Sequence, residues 1–366
     1  MFDTIAIIGL GLIGGSIARK VKEISPGTKI LVYNRTQSVA DAAIADGNAD
    51  VRLPGIGEKL READLVLLCT PVTLIAEYMN RIKPYLKSTA ILSDVGSTKT
   101  SICDTAVKCG LEEYFIGGHP MAGSERTGYA NSRANLLENA YYILTPTGKN
   151  RPGDVEKMVS FVRSLTALPL VLDPKEHDRA VAAISHVPHL IASSLVCLVE
   201  DSDSPEQVMK KIAAGGFKDI TRIASSSPVM WEQICMENRD NILPLLRKYI
   251  ADLSDMADHI EAGDGAYVHD RFVKSGAYRS SIDDRGNRTG NPEYALFCDL
   301  PDRPGAIAVI ATLLSFEEIS IKNVGINHNR ELQEGSVKIE FHDPVSCGKA
   351  AAILTAHHFP VYSRKP

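Results

Sequence analysis

The stretch TIAIIGLGLIGGSIA, residues 4–18, decides how the first half of this chain folds. Thr4 to Ile8 is a short apolar run of the kind that forms a strand buried on both faces. It runs straight into Gly9-Leu10-Gly11-Leu12-Ile13-Gly14, and Gly15-Ser16-Ile17-Ala18 opens a helix. In this strand–turn–helix setting the three glycines have separate jobs. Gly9 allows the tight turn, Gly11 lets the backbone approach a pyrophosphate, and Gly14 lets the helix pack close to the strand. The helix N-terminus adds N–H donors and partial positive charge, with Leu12 and Ile13 on its first turn. A glycine-rich turn of an ordinary α/β fold is the plainer alternative. The combination points instead to a dinucleotide cradle. The second strand ends at Asn34-Arg35-Thr36, about 20 residues beyond Gly14, where NAD sites usually carry an acid for the ribose hydroxyl. Here there is no acid, and Arg35 could face a 2′-phosphate. The pattern favours NADP and leaves NAD open.

Outward from this unit the chain divides into three blocks. Over residues 1–172, β-rich runs alternate with amphipathic helical stretches, which predicts a doubly wound parallel sheet. The runs include ILVYN at 30–34, LVLLCT at 65–70, AILSDV at 90–95, YFIGG at 114–118, AYYILTP at 140–146 and LPLVL at 168–172. Over 173–275 no strand pattern appears. Asp173-Pro174-Lys175-Glu176 is a helix start, with Asp as N-cap, Pro at the first helical position and Glu at the third. Helical patterns follow through His177–Glu200, Pro205–Phe217 and Met230–Ile260. Residues 276–291 read as a polar linker. Residues 292–366 return to β patterning in the order βαββαβ, a ferredoxin-like module.

Composition narrows the function classes. A net charge of −5 gives no electrostatic hold on a phosphate backbone, so nucleic acid is not an expected partner. The apolar N-terminal run is too short to span a membrane and is broken by glycines, so neither membrane nor signal peptide is expected. Seven cysteines with no C-x-x-C pair read as reduced thiols of a cytoplasmic protein, and no metal site is expected.

Three further segments carry chemistry. Thr70 and Pro71 follow one strand. Ser93-Asp94-Val95-Gly96-Ser97-Thr98-Lys99 follows the next. Gly117-Gly118-His119-Pro120-Met121-Ala122-Gly123-Ser124-Glu125 comes after these. All fall at the carboxyl edge, where open α/β sheets bind ligands. Pro120 holds His119 in extended geometry, and a histidine beside a nicotinamide suits removal of a hydroxyl proton near neutral pH. Taken alone, His119 is equally a structural histidine at a strand end. In the helical block, Ser185 and His189 lie four apart on one face, and Pro188 should kink the helix. Arg222 is suited to a substrate carboxylate. Alone, His189 is equally a core histidine and Arg222 a surface charge.

Together, GLGLIGGS, DVGSTK, GGHPMAGSE, DPKEHD, ISHVPH and GGFKDITRIA, in this order and spacing, resemble the prephenate/arogenate dehydrogenases of tyrosine biosynthesis. The C-terminal module, with Asp302-Arg303-Pro304-Gly305-Ala306 between first strand and first helix, resembles an ACT domain. The resemblance covers nearly the whole chain. It implies a Rossmann-type domain, an all-helical dimerisation domain and a regulatory module that binds an effector, L-tyrosine, through those five residues. It implies oxidation of prephenate to 4-hydroxyphenylpyruvate with loss of carbon dioxide. His119 would be the base, Ser97 would position the hydroxyl, and Arg222 would bind a carboxylate. Ser124, Glu125, Ser185 and His189 would complete the pocket. Trp231 resembles a pocket residue that the family can contribute across a dimer interface; a buried packing aromatic is the alternative. Arogenate, with one added ammonium, is the alternative substrate. A non-catalytic amino-acid sensor is a rival from another class, and it would need neither His119 nor Arg222.

Overall fold

A computed structural model describes residues 2–123, 126–282, 294–301, 304–328 and 334–362. The chain forms two compact units, 1–281 and 282–366.

The first unit is built on an eight-stranded sheet. Its strands are β1 (Thr4–Ile8), β2 (Lys29–Tyr33), β3 (Val51–Arg52), β4 (Leu65–Leu68), β5 (Ile91–Asp94), β6 (Phe115–Pro120), β7 (Tyr141–Pro146) and β8 (Leu168–Val171), in the order β3-β2-β1-β4-β5-β6-β7-β8. The first six are parallel, and their order reverses at β1 and β4. A doubly wound sheet opens its ligand crevice at that reversal. Alternation along β1 explains why the run is apolar throughout. Ile5 and Ile7 enter one core with Ile17 and Val21, while Ala6 and Ile8 enter the opposite core with Ile75 and Met79. All four β1 residues are fully buried.

The expectation of an all-parallel sheet needs one correction. β7 runs antiparallel to β6, and β8 is parallel to β7. A parallel return needs a crossover, usually helical. Between Pro120 and Tyr141 the described chain holds only a single 3₁₀ turn, Tyr129–Asn131, so it comes back reversed. β6 is also longer than its sequence suggested, and it takes in His119 and Pro120.

The all-helical block follows. The expected cap is present: the Asp173 carboxylate accepts from the backbone N–H of Lys175 at 2.8 Å, ahead of Pro174. Helical turns run from Pro174 to Ser202 through a π-helical stretch, Ala182–His186, just before Pro188. The wide turn accommodates the missing proline N–H, so Pro188 sits in the first turn of the segment Val187–Ser202. By length and composition, Pro174–Ser202 is apolar enough to cross a membrane, yet its buried His177, Asp178 and His186 join the site described below.

The expected helix 230–260 is two helices, Pro228–Glu237 and Arg239–Glu261, broken at Asn238. Asn238 is buried, and its side-chain amide donates to the Asp178 carbonyl at 2.8 Å. That long-range bond selects the break. The linker expected from 276 starts later, since the helix Gly265–Ser281 runs through its first six positions. Gly276 is tolerated there, and no proline interrupts the turn. The remainder, 283–291, lies outside the described residues.

The second unit has strands β9 (Tyr294–Pro301), β10 (Ile321–His328), β11 (Glu334–Phe341) and β12 (Val361–Tyr362). Its helices are Ala306–Phe316 and Pro344–Ala356. The antiparallel order β10-β11-β9-β12 is the expected βαββαβ module. Leu296, Cys298, Ile310, Leu314, Ile339 and Leu354 form its core. Gly305 precedes the first helix at φ +86°, in the left-handed region that favours glycine. Pro304 and Gly305 are exposed, and Ala306 is half-buried. Asp302 and Arg303 lie outside the described residues.

One buried ion pair ties β5 to β6. Lys99 and Asp94, neither with any exposed side chain, pair directly. Lys99 Nζ also donates to the Gly118 carbonyl at 2.7 Å, and Asp94 accepts the Gly118 N–H at 3.0 Å. Removing one partner of such a pair strands the other charge. Lys99→Ala should therefore lower the unfolding free energy by about 3–5 kcal/mol in chemical denaturation. A loss below about 1 kcal/mol would show that Asp94 is satisfied by backbone donors alone.

Candidate active site

The glycine loop meets its requirements atom by atom. Gly9 has φ +103°, and a Cβ there would lie 2.4 Å from the Cys69 carbonyl oxygen. A Cβ at Gly14 would lie 2.2 Å from the Gly9 carbonyl oxygen. Gly11 differs: a Cβ there would meet nothing within 4 Å. Its face opens into a cleft of about 370 Å³. The helix Leu12–Ile24 begins at this opening without a capping side chain or an acid in its first turn. Leu12, Ile13 and Thr70 line the same cleft. The Thr70 hydroxyl is buried and has no hydrogen-bond partner among the described residues. Uncapped N–H groups, an open glycine face and an unsatisfied hydroxyl suit a dinucleotide pyrophosphate.

Asn34 has a different part from the expected one. Its Oδ1 accepts the Leu10 N–H at 3.0 Å and its amide donates to the Thr36 carbonyl at 2.9 Å, so it braces the glycine loop. Arg35 stands exposed at the end of β2. Pro71 caps the helix Val72–Ile82 and does not line the cleft.

Ser97 and His119 line the same cleft as Gly11, with Ser226, Ser227 and Met230 lining it from the helical block. Behind His119 is an arrangement that single-segment reading missed. His119 Nδ1 lies 2.8 Å from His177 Nε2, and His177 Nδ1 lies 2.8 Å from Asp178 Oδ1. The Asp178 carboxylate also accepts the backbone N–H groups of Lys99 at 2.7 Å and Thr100 at 2.8 Å. Burial pushes its carboxyl up, but the bonds from His177, Thr100 and Lys99 outweigh this and hold it below the usual carboxylate range.

This chain of bonds sets the protons. An ionised carboxylate only accepts, so His177 Nδ1 carries the hydrogen. With one proton per ring, His177 Nε2 accepts from His119 Nδ1, and His119 Nε2 keeps a lone pair. Burial, followed by His177, Lys99 and His186, holds the His119 pKa well below its ordinary 6.5. The ring is therefore neutral at pH 7. The adjacent His177-Asp178 in DPKEHD was the sequence signal for this arrangement.

The second group of expected residues gathers nearby. His189 Nδ1 donates to the Ser185 carbonyl at 2.8 Å and stacks on Trp231 with centroids 3.8 Å apart. They border a pocket of about 180 Å³ with Ser193, Ile223 and Ser226. Trp231 thus packs within its own chain, and its buried indole N–H has no hydrogen-bond partner among the described residues. Arg222 is exposed, close enough to His189 for its charge to disfavour protonation of the ring, and it lines neither cavity. Ser124 and Glu125 lie outside the described residues. Among the described residues, no cluster of three metal-ligating side chains occurs.

Residues 17–169 match the nucleotide-binding domain of prephenate dehydrogenase, and residues 173–274 match its dimerization domain. The chain belongs to the prephenate dehydrogenase family. It is 37% identical to the prephenate dehydrogenase of Bacillus subtilis over 93% of this chain and 92% of that protein. The crystal structure of Aquifex aeolicus prephenate dehydrogenase with hydroxyphenyl propionate and NAD+ aligns with a TM-score of 0.72 at 29% identity, covering 77% of this chain and 99% of that one. Synechocystis arogenate dehydrogenase aligns with a TM-score of 0.68 at 29% identity, covering 76% and 100%. The protein is thus an oxidoreductase of the prephenate dehydrogenase family with a nucleotide-binding α/β domain and a helical dimerisation domain.

Three site histidines resist protonation, and this has a thermodynamic sign. Burial holds His119 and His189 below 6.5 and pulls His186 down to about 4. As pH falls below about 6.5, the unfolded chain takes up protons that the folded one refuses. Stability should be full above that pH and decline steadily towards pH 4. Chemical denaturation at intervals across this range measures it, and a flat profile would contradict the neutral histidines.

Proposed function

We propose that the chain oxidises prephenate with NAD(P), releasing carbon dioxide and 4-hydroxyphenylpyruvate on the way to L-tyrosine. The observation that carries this reading is His119, with its His177–Asp178 tail, in one cleft with Ser97 and the glycine loop. When bound, the nicotinamide accepts hydride from C4 of the substrate ring. His119 Nε2 takes the C4 hydroxyl proton, and the bond from its Nδ1 to His177 draws the resulting charge towards Asp178. Ser97 orients the hydroxyl. Arg222 holds a substrate carboxylate, with Ser185, His189, Ser124 and Glu125 around the remaining groups. Trp231 keeps the His189 ring in place by stacking. The ring carboxylate leaves as carbon dioxide, and the ring becomes aromatic.

NADP should serve at least as well as NAD, on the strength of the exposed Arg35 and the missing acid at the end of β2. Arogenate is the second reading, favoured by the likeness to the Synechocystis enzyme. The working form is a cytoplasmic homodimer: Ile184, Leu198, Met236, Ile250 and Phe272 are exposed on the helical block and would be covered by a second copy. The C-terminal module acts as an ACT domain. It takes L-tyrosine at Asp302, Arg303, Pro304, Gly305 and Ala306, where the helix N-terminus suits a carboxylate.

Absorbance of the reduced nicotinamide, followed with each substrate and cofactor, tests these assignments together. Turnover should be greatest with prephenate. His119→Asn should lower kcat by ~10²–10⁴ with little change in KM. Arg222→Ala should mainly raise KM. Near-normal kcat in His119→Asn would remove it as the base. Tyrosine should inhibit the full chain, and a chain ending at Ser281 should keep its activity and lose that inhibition. Equal inhibition of both would place tyrosine at the active site instead.

A further inference from the structure

The described lining of the cleft includes one cation. Among the described residues lining it, Arg126 carries the one permanent charge, and none is acidic. A dinucleotide brings two negative charges on its pyrophosphate. The helix N-terminus offers roughly half a positive charge against them. A cation close to Gly11 would offset the remainder.

The segment carrying Arg126 is fastened to the cradle helix itself. Tyr129 is buried against it, its hydroxyl 3.0 Å from both Asp46 Oδ2 and Asn48 Nδ2. The Arg19 guanidinium lies 4.7 Å from the centre of the Tyr129 ring. Arg19 Nε donates to Ser132 Oγ at 2.9 Å, and the Arg133 N–H donates to Ser16 Oγ at 3.0 Å. A Cβ at Gly15 would come within 2.8 Å of both Ser132 and Tyr129. The strap thus lies directly on the first turns of the helix that begins at Leu12. Three residues of chain span at most ~10 Å, so Arg126 is tethered near the same helix end.

Taking the dinucleotide reading as given, we infer that Arg126 is the cation that binds the cofactor pyrophosphate. A guanidinium suits this task, because its fork donates two parallel bonds to phosphate oxygens. The strap delivers it from the segment that follows His119, so one stretch of chain serves both the base and the phosphate.

Calorimetric titration tests this with two probes that separate the anions. ADP-ribose carries the pyrophosphate without nicotinamide or 2′-phosphate. Hydroxyphenyl propionate carries a carboxylate without phosphate. Arg126→Gln should weaken ADP-ribose by about 10- to 100-fold, as loss of a charge-assisted contact requires. It should leave hydroxyphenyl propionate nearly unchanged, and Arg126→Lys should recover part of the loss. Loss confined to hydroxyphenyl propionate would assign Arg126 to the substrate and overturn the inference. Unchanged ADP-ribose binding in Arg126→Gln would overturn it too, with the helix N-terminus then sufficient. If the unaltered protein failed to bind ADP-ribose, the dinucleotide reading itself would fall.

Discussion

A single carboxylate, Asp178, joins the two halves of the catalytic unit. It sits in the helical block, yet accepts the backbone N–H groups of Lys99 and Thr100 at the end of the α/β sheet. The same group orients His177, which orients His119. Its backbone carbonyl receives the Asn238 side chain, which fixes the break between two further helices. Much of the site geometry follows from where this group is held. A buried carboxylate is costly unless every lone pair is used. Here the donors come from separate segments, so the charge is stable only when those segments are assembled.

The site is accordingly a product of long-range order. The cofactor cradle is local: strand, loop and helix follow one another over residues 4–24. The histidine arrangement is not. His119 comes from β6, its tail from the helix after β8, and the cleft wall from Ser226, Ser227 and Met230. Lys99 and Asp94 add rigidity beneath, pinning Gly118 next to His119. A side chain held this way has little freedom left to lose when a ligand arrives.

Legibility in the sequence followed the same division. The glycine loop, the Asp173-Pro174 helix start and the βαββαβ order of the C-terminal module could be read because each depends on neighbours in sequence. The reversed β7, the break at Asn238 and the placing of the adjacent His177–Asp178 pair behind His119 could not. Each is decided by contacts between distant residues; His119 and His177 are 58 positions apart. Asn34 shows the limit of position-based reading. It stands where a ribose ligand is expected, but a bond to Leu10 gives it a bracing task that the spacing alone does not reveal. Trp231 was read either as a pocket residue or as a packing aromatic, and its stacking on His189 was not legible in the sequence.

The π-helical stretch Ala182–His186 has a consequence for how this enzyme tolerates change. A wide turn holds one residue more than an α-turn, and each residue advances a helix by about 100°. The stretch therefore acts as a phase shifter. His177 and Asp178 lie ahead of it and point to the sheet, while His189 follows it and faces Trp231. Replacing an exposed side chain of the stretch, Ala183 or Ile184, leaves this phase unchanged, whereas His186 also bonds Asn238 and meets the Trp231 ring. Deleting a residue would restore ordinary helical periodicity and turn one end of the site away from the other. Loss of a residue here should therefore disturb the site more than exchange of an exposed one.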